Sequence, residues 1–578
     1  MLQVSSGKFF SSIEPDNLYV TTHRGVLYTN YRFLRDRVTT VVGDILPATA
    51  YSDLRTVTCE VLDRMPRPGG IDQQGAIVSV GPDVFINDFS ALISFRLRAV
   101  CAPDKDLAQR LVCAQRPALG IAGLPRQYVA RMFDVEIPYS EQEVVILQAF
   151  IADLIGLERR AYEGAIRAIR RFVTAMHRMS DDLDLAYALL VAAIEALSQE
   201  FDGFVPAWSD LTDVKRKLLD SALAGAPEDT VSRVRDAVLS TEHVALKRRF
   251  CEFSIQYLNA RFFREEAANQ SRPVGKSELR VALKKAYDLR SKYVHTMDSL
   301  PTNLLACPSH SDILTIDSRP HLSFHGLARL AHHIIVEFVN RSPKIERETF
   351  DCSTVYPNAI KGQLAPQYWI HNAEWYSPST SQAVLSGFLS QLADRKMNPE
   401  RMVSDLRAVA TKIETLVPSL AKPEQKLPML ALYVLFLPFR STNERTIAQQ
   451  FMAPYWALFD TPCIENLIAH LLFDEQPPPW SLDVSARLLE EYSEQRFRRD
   501  SADAGPLIGA ALILWIAEMY RASGDDARAF ELIKYAVEEY PQHKALREFE
   551  TELSRQGMCK IAPWAVLNPG TPCLSTSA

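Results

Sequence analysis

What this 578-residue chain lacks narrows its chemistry before any motif is considered. Its nine cysteines stand apart at 59, 101, 113, 251, 307, 352, 463, 559 and 573, with no Cys-x-x-Cys pair. That argues against a disulfide scaffold or a cysteine-based zinc module and fits reduced thiols in a cytoplasmic protein. No apolar run reaches the ~18 residues of a membrane span; the nearest, Leu427 to Pro438, reads as a buried helix, and no membrane partner is expected. The first residues, MLQVSSGKFFSS, hold no basic stretch leading into an apolar one, so no secretory signal is expected. An excess of positive charge is missing too. Lys and Arg total 64 against 70 Asp and Glu, a formal charge of -6, so any surface for a polyanion must be local. With neither a Gly-x-x-x-x-Gly-Lys loop nor a Gly-x-Gly-x-x-Gly element, nothing points to a nucleotide-driven motor or a dinucleotide, and no cofactor is expected. Gly505 and Gly509 suit a turn or close helix packing.

What is present is a soluble, globular composition, 47% hydrophobic and 23% charged, in a chain too long for one core. In residues 1–125, β-branched and aromatic runs at Asn17 to Thr22, Gly25 to Tyr31, Val38 to Val42 and Ala76 to Val80 lie between Gly, Pro and Asp and predict strands. Phe89 to Arg98 is expected as a further strand and Asp104 to Cys113 as a helix. From about Ser140 the apolar period becomes 3.6. Residues 126–345 are therefore expected to form a bundle, with helices over Glu141 to Ile155, Glu158 to Met179, Asp182 to Gln199, Trp208 to Leu223, Thr230 to His243, Val244 to Glu266, Ser277 to Asp298 and Phe324 to Asn340. Residues 346–380 read as a linker or irregular crossover, 381–560 as a second helical region and 561–578 as a flexible tail. Within the second region Trp515, Tyr520, Gly524, Ala527, Phe530, Ala536 and Pro541 fall near the small, aromatic and proline positions of a tetratricopeptide-type helix pair. The fold class expected is mainly α: a helical bundle flanked by a small β-rich or mixed α/β N-terminal domain and an α-helical, in part repeat-like, C-terminal region that offers a surface to a protein partner.

Six residues, Arg290-Ser-Lys-Tyr-Val-His295, suggest chemistry rather than packing. Arginine keeps its charge and presents a fork suited to phosphate oxygens; histidine passes a proton in either direction near neutrality. Five helical positions turn the side-chain direction by about 140°, so the two diverge and would meet one ligand only in a cleft between facing helices or across a two-fold axis. The stretch is locally basic: Lys276, Arg280, Lys284, Lys285, Arg290 and Lys292 face only Glu278 and Asp288. Lys284, Lys285, Lys292 and Tyr293, with Arg248 and Arg249 upstream, are the candidate RNA-binding residues. Each also fits an ordinary solvated helix face. Asp288 is expected to pair with Lys284 or Lys292 at i±4, and Tyr293 either stacks on a base or packs between helices.

The run Ala286-Tyr-Asp-Leu-Arg-Ser-Lys-Tyr-Val-His295 resembles the Arg-x4-6-His signature helix of the HEPN superfamily, in particular its Apea-like branch. Upstream, Leu189-Leu-Val-Ala-Ala-Ile-Glu-Ala-Leu197 is similar to an earlier helix of that domain, and the resemblance covers residues 140 to 341. It implies a bundle that homodimerises so that two signature helices meet. In active members this forms a metal-independent endoribonuclease site, often in anti-phage defence or toxin systems. Arg290 and His295 then take catalytic roles, and Glu195 either orients one of them or makes a structural salt bridge. Cleavage would proceed by the RNA 2′-hydroxyl with no metal required; the alternative is a non-catalytic RNA-binding or protein-interaction module on an inactive dimer. Thr296 stands where this branch commonly has glycine.

His310, His321, His325, His332 and His333 are the densest histidine group. Pro320 places a helix start between His321 and His325, and no cysteine or carboxylate pair completes a ligand set, so no metal site is expected.

Overall fold

The computed structural model describes the chain except for positions 1, 11–14, 35, 49–53, 67–74, 80, 113–122, 200–206, 209–210, 212, 242–245, 269, 349, 351–358, 474–476, 499–500 and 569–578. It is mainly helical, with a small antiparallel sheet near the N-terminus. The residues group into two compact units, Met1–Gly69 with Val78–Ile360, and Gly70–Ile77 with Lys361–Ala578.

In the first unit the sheet runs in the order Val38–Thr40, Gly43–Ala48, Arg55–Pro66, Leu18–Thr29, Cys101–Ala102. Its two long strands pair antiparallel from Leu18 opposite Pro66 to Thr29 opposite Arg55. Arg55–Pro66 escapes the sequence reading because its inward residues, Val57, Cys59 and Val61, are few and lie between threonines and acids. Phe89 to Arg98, expected as a strand, is instead the second half of the helix Asp83–Leu97. Eleven of that helix's 15 residues are buried, so its apolar run is nearly continuous and carries no helical period. Its approach to the sheet depends on Gly25, where a Cβ would lie 2.5 Å from Ile86 Cδ1.

The boundary expected at residue 125 does not separate two cores, because one hydrophobic core runs from Leu2 to Val339. The Leu2 N–H donates to the Tyr162 hydroxyl (3.1 Å). Gln3 Nε2 donates to the carbonyls of Ile155 (3.0 Å) and Leu157 (2.7 Å), satisfying the end of the helix Glu141–Gly156. Arg159–Arg178 and Leu183–Ser198 follow and pack together. Asp182 caps the second, accepting from the Leu185 N–H at 2.9 Å.

The single helix expected over Val244 to Glu266 is corrected to Leu246–Gln256 and Ala260–Phe263. Asn259 breaks it, its side chain accepting from the Arg261 N–H (3.0 Å) in place of a helical carbonyl. Lys276–Thr296 and Phe324–Arg341 fall where the period places them. Between them lies a hairpin absent from the bundle expectation, Ile313–Ile316 with Arg319–Leu322, turned by Asp317 and Ser318 at φ 48° and 60°.

In the second unit, every residue of Leu427–Phe436 within the helix Pro423–Phe436 is buried. Gly505–Ala522 and Asp526–Glu539 form a helix pair turned at Gly524 (φ 91°). A Cβ on Gly509 would lie 2.0 Å from Tyr540 Oη. Part of the interval expected as linker belongs to this core: Trp369, Ile370 and Tyr376 are buried apolar or aromatic residues. The flexible tail expected from 561 is likewise corrected. Ile561 and Leu567 are buried, Pro563–Leu567 is helical, and the Ile561 N–H donates to Glu518 Oε2 at 2.8 Å. The remainder of that expectation, 569–578, lies outside the described residues.

Candidate functional site

Both ends of the helix Lys276–Thr296 are anchored. At its start the Gly275 N–H donates to Glu278 Oε2 (3.2 Å) and the Val274 N–H to Asp312 Oδ2 (2.9 Å). Past its end the Leu300 N–H donates to Asp184 Oδ1 (2.6 Å), in the first turn of Leu183–Ser198. Leu279, Ala282, Leu283, Ala286 and Tyr287 are buried at spacings of three, one, three and one, which fixes the rotation of the helix about its axis.

That rotation turns Arg290 inward, one turn beyond Tyr287. Arg290 Nη2 lies 2.5 Å from Glu195 Oε2, and the Tyr287 hydroxyl donates to Glu195 Oε1 at 3.2 Å. One helix thus engages both oxygens of a buried carboxylate. Burial, and then the Glu195 charge beside it, push the Tyr287 phenol up to about 12, so it remains a donor at neutral pH. The Arg290 guanidinium carbon is 5.9 Å from the Tyr287 ring centroid. Its Nε is buried and has no hydrogen-bond partner among the described residues.

His295 is exposed and makes no hydrogen bond or ion pair among the described residues. The helix therefore brings Glu195 and Arg290 together and leaves His295 about 140° away around its axis. Thr296 is the last helical residue, its hydroxyl donating to the Lys292 carbonyl at 2.7 Å, and the left-handed conformation that ends the helix falls on Met297 (φ 55°).

Among the candidate RNA-binding residues, Lys284 and Lys292 are exposed and Lys285 is half-buried; none makes an ion pair among the described residues. Asp288 does not pair with Lys284 or Lys292. Lys247 approaches it at 2.6 and 2.7 Å, because Leu246–Gln256 packs alongside and presents its ammonium. Arg280 pairs with Glu252 in the same way, at 2.5 and 3.3 Å. Arg248 and Arg249 are half-buried, and Arg249 Nη1 donates to the Gln199 carbonyl (3.0 Å), where Leu183–Ser198 ends. Tyr293 is half-buried, and its phenol is held above the ordinary value by burial first and by Asp182 and Asp184 second, which sets it beside the acidic start of that helix. Tyr287 is the member of the site that the sequence reading passed over; its signal was an aromatic residue one turn ahead of Arg290 on the same face.

Four of the five grouped histidines have separate hydrogen-bond or ion-pair partners, and His332 Nε2 is buried with none among the described residues. His310 Nε2 meets the Arg126 carbonyl (2.8 Å), His321 Nδ1 the Arg319 carbonyl (3.1 Å) and His333 Nδ1 Glu266 Oε1 (3.0 Å). His325 Nδ1 accepts from the Ala130 N–H (3.3 Å), so Nε2 carries the hydrogen and donates to Gln270 Oε1 (2.6 Å). Burial lowers His325 to about 4 against the opposing charge of Asp312, with Arg98 and His310 adding to the lowering, and keeps it neutral. Among the described residues no group of three or more His, Cys, Asp or Glu is arranged to hold a metal ion. No described helix is long and apolar enough to cross a membrane.

No protein-family model matches this chain, and no curated protein or solved structure matches it.

Proposed function

We propose that this protein is an endoribonuclease of the kind found in defence and toxin systems, in which the 2′-hydroxyl of the RNA attacks its own phosphodiester. His295 removes the 2′ proton, the 2′ oxygen bonds to phosphorus, and the bond from phosphorus to the 5′ oxygen breaks. The departing oxygen takes a proton, leaving a cyclic phosphate and a 5′-hydroxyl. Arg290 stabilises the charge that builds on the phosphoryl oxygens. Glu195 is a positioning residue that holds Arg290, with Tyr287 holding Glu195 in turn. The nucleophile lies within the substrate, so the reaction asks for no metal, and DNA lacks the attacking group.

One observation carries this reading: a guanidinium braced on a buried carboxylate and an exposed, unpartnered imidazole share one anchored helix. Their divergence means that a second copy must complete the site, its signature helix supplying the imidazole that faces this chain's arginine. Exposed Lys284 and Lys292 then extend the RNA path.

The test is incubation of the full chain with total cellular RNA in chelator, followed by end chemistry on the fragments. Cleavage is expected in the natural sequence and lost by ~10²-fold or more in His295→Ala and Arg290→Ala. Undiminished cutting by His295→Ala would overturn the assignment. A second reading, RNA binding without cutting, is favoured by the neutralisation of Arg290 by Glu195. Equal RNA binding by the natural sequence and His295→Ala, with cleavage by neither, supports it.

A further inference from the structure

Away from Glu195 and Arg290, the first unit encloses a cavity of about 250 Å³ walled in part by five arginines, Arg96, Arg98, Arg131, Arg261 and Arg329. Their counter-ions are fewer. Arg131 pairs with Glu143 (2.5 Å), Arg261 with Glu266 (3.1 Å) and Arg329 with Asp312 (3.0 Å). The side chains of Arg96 and Arg98 make no hydrogen bond or ion pair among the described residues; Arg96 Nε is buried, and its guanidinium carbon lies 5.8 Å from the centroid of the Phe150 ring. Five arginines against Glu143, Glu266 and Asp312 leave an excess of two positive charges. The histidines beside them do not compensate, since an imidazole is neutral or positive.

A desolvated cation without a counter-ion is costly, and a guanidinium does not ordinarily escape by losing its proton. Burial, with Arg261 next, lowers the Arg96 guanidinium only to about 10, and burial lowers Arg98 as well. The backbone bears the same mark. Arg98 ends the helix Asp83–Leu97 in the left-handed region (φ 50°, ψ 53°), and Arg131 has φ 71°. Glycine or asparagine ordinarily fills such a helix-ending position. Here Arg98 holds it instead, and Arg131 takes the left-handed region in a turn, the kind of strain that persists where a side chain must be placed. The rest of the wall includes Leu97, Val129, Met132, Ile146 and the ring of Phe172.

The geometry points to a binding site for a small phosphomonoester, its phosphate held by Arg96 and Arg98 and its organic body lying on the apolar wall. Guanidinium forks match phosphate oxygens and form charge-assisted hydrogen bonds to them. The volume falls just below the roughly 300–1,000 Å³ usual for ligand sites, which suits a phosphorylated sugar or at most a mononucleotide and excludes an oligonucleotide. None of Glu195, Arg290 and His295 lines the cavity, so the site stands independently of the nuclease reading.

Calorimetric titration and thermal unfolding of the full chain, with adenosine 5′-monophosphate, inorganic phosphate and adenosine as probes, test it. The monophosphate is expected to bind and raise the unfolding temperature, phosphate to bind more weakly and adenosine not at all. Arg98→Gly fits the left-handed backbone and removes an unpaired charge. It is expected to unfold at the same or a higher temperature without ligand, yet to bind the monophosphate ~10- to 100-fold more weakly. Arg96→Met gives the same reading should Arg98→Gly not fold. No binding of either phosphate-bearing probe at millimolar concentration would overturn the site, as would equal monophosphate binding by the variant that folds, or adenosine binding as tightly as its monophosphate. Binding of inorganic phosphate alone, lost in the variant, would overturn the organic part and reassign the cavity to the free anion.

Discussion

Glu195 and Arg290 face each other across two helices at 2.5 Å, with Glu195 buried and Arg290 only 21% exposed in its side chain. Breaking such a pair from one side strands the other charge. Glu195→Ala is expected to destabilise the chain by roughly 2–4 kcal/mol, more than the double change Glu195→Leu with Arg290→Met, which leaves no orphan. Urea unfolding followed by circular dichroism reads the difference. A single change no worse than the double one would show that the pair is loosely held.

His295 should separate stability from activity. Its side chain is exposed and unpartnered, so His295→Ala is expected to shift unfolding by no more than about 0.5 kcal/mol while abolishing RNA cleavage. Thermal unfolding beside the cleavage assay checks both halves.

Met297 occupies the left-handed position that ends the helix Lys276–Thr296, and it is 73% exposed. An L side chain there costs about 1 kcal/mol that glycine avoids. Met297→Gly is therefore expected to stabilise by roughly 0.5–1 kcal/mol, seen as a higher unfolding temperature. Loss of stability would mean that the Met297 side chain makes a contact worth more than the strain.

Acid should weaken the first unit before its carboxylates titrate. Burial lowers His177 and His325 to about 4 from the usual 6.5, so the folded chain keeps them neutral while the unfolded chain protonates. Their full contribution is present above about pH 6.5 and is lost progressively as pH falls towards 4. At pH 5 the loss is roughly 2 kcal/mol for each. Burial, with Arg98 and Arg96 next, holds His332 well below its ordinary value too, and it acts in the same direction. Unfolding free energies at pH 7 and pH 5 measure the effect, and His177→Gln should flatten the difference.

The bundle was legible because its helices are amphipathic and capped. Asp182 and the Leu183, Tyr187, Leu190, Ile194 stripe mark Leu183–Ser198 directly. Asp83–Leu97 was not, since a helix buried all round carries no period that separates it from a buried strand. The same limit applied at the site. Arg290, His295 and Glu195 stood out as residue types, and the 140° divergence followed from helix geometry. That Lys247 rather than Lys284 or Lys292 neutralises Asp288 depends on a neighbouring helix 41 residues away, which local spacing does not reveal.

The docking of residues 2–10 into the bundle bears on the order of events during synthesis. Gln3 is made 152 residues before the carbonyl of Ile155 that it binds. At ~5–20 residues per second the ribosome takes roughly 8–30 s to cover that interval. Within it residues 2–5 can already pack on Arg55–Pro66 and Asp83–Leu97, which they touch in the finished fold, while the helix end that Gln3 satisfies has yet to be made. The leading segment is thus seated in two stages, first against the sheet and its covering helix and then against the bundle. The second stage cannot close until Glu141–Gly156 has been made, so the start of the chain is tied to a helix that emerges long after it.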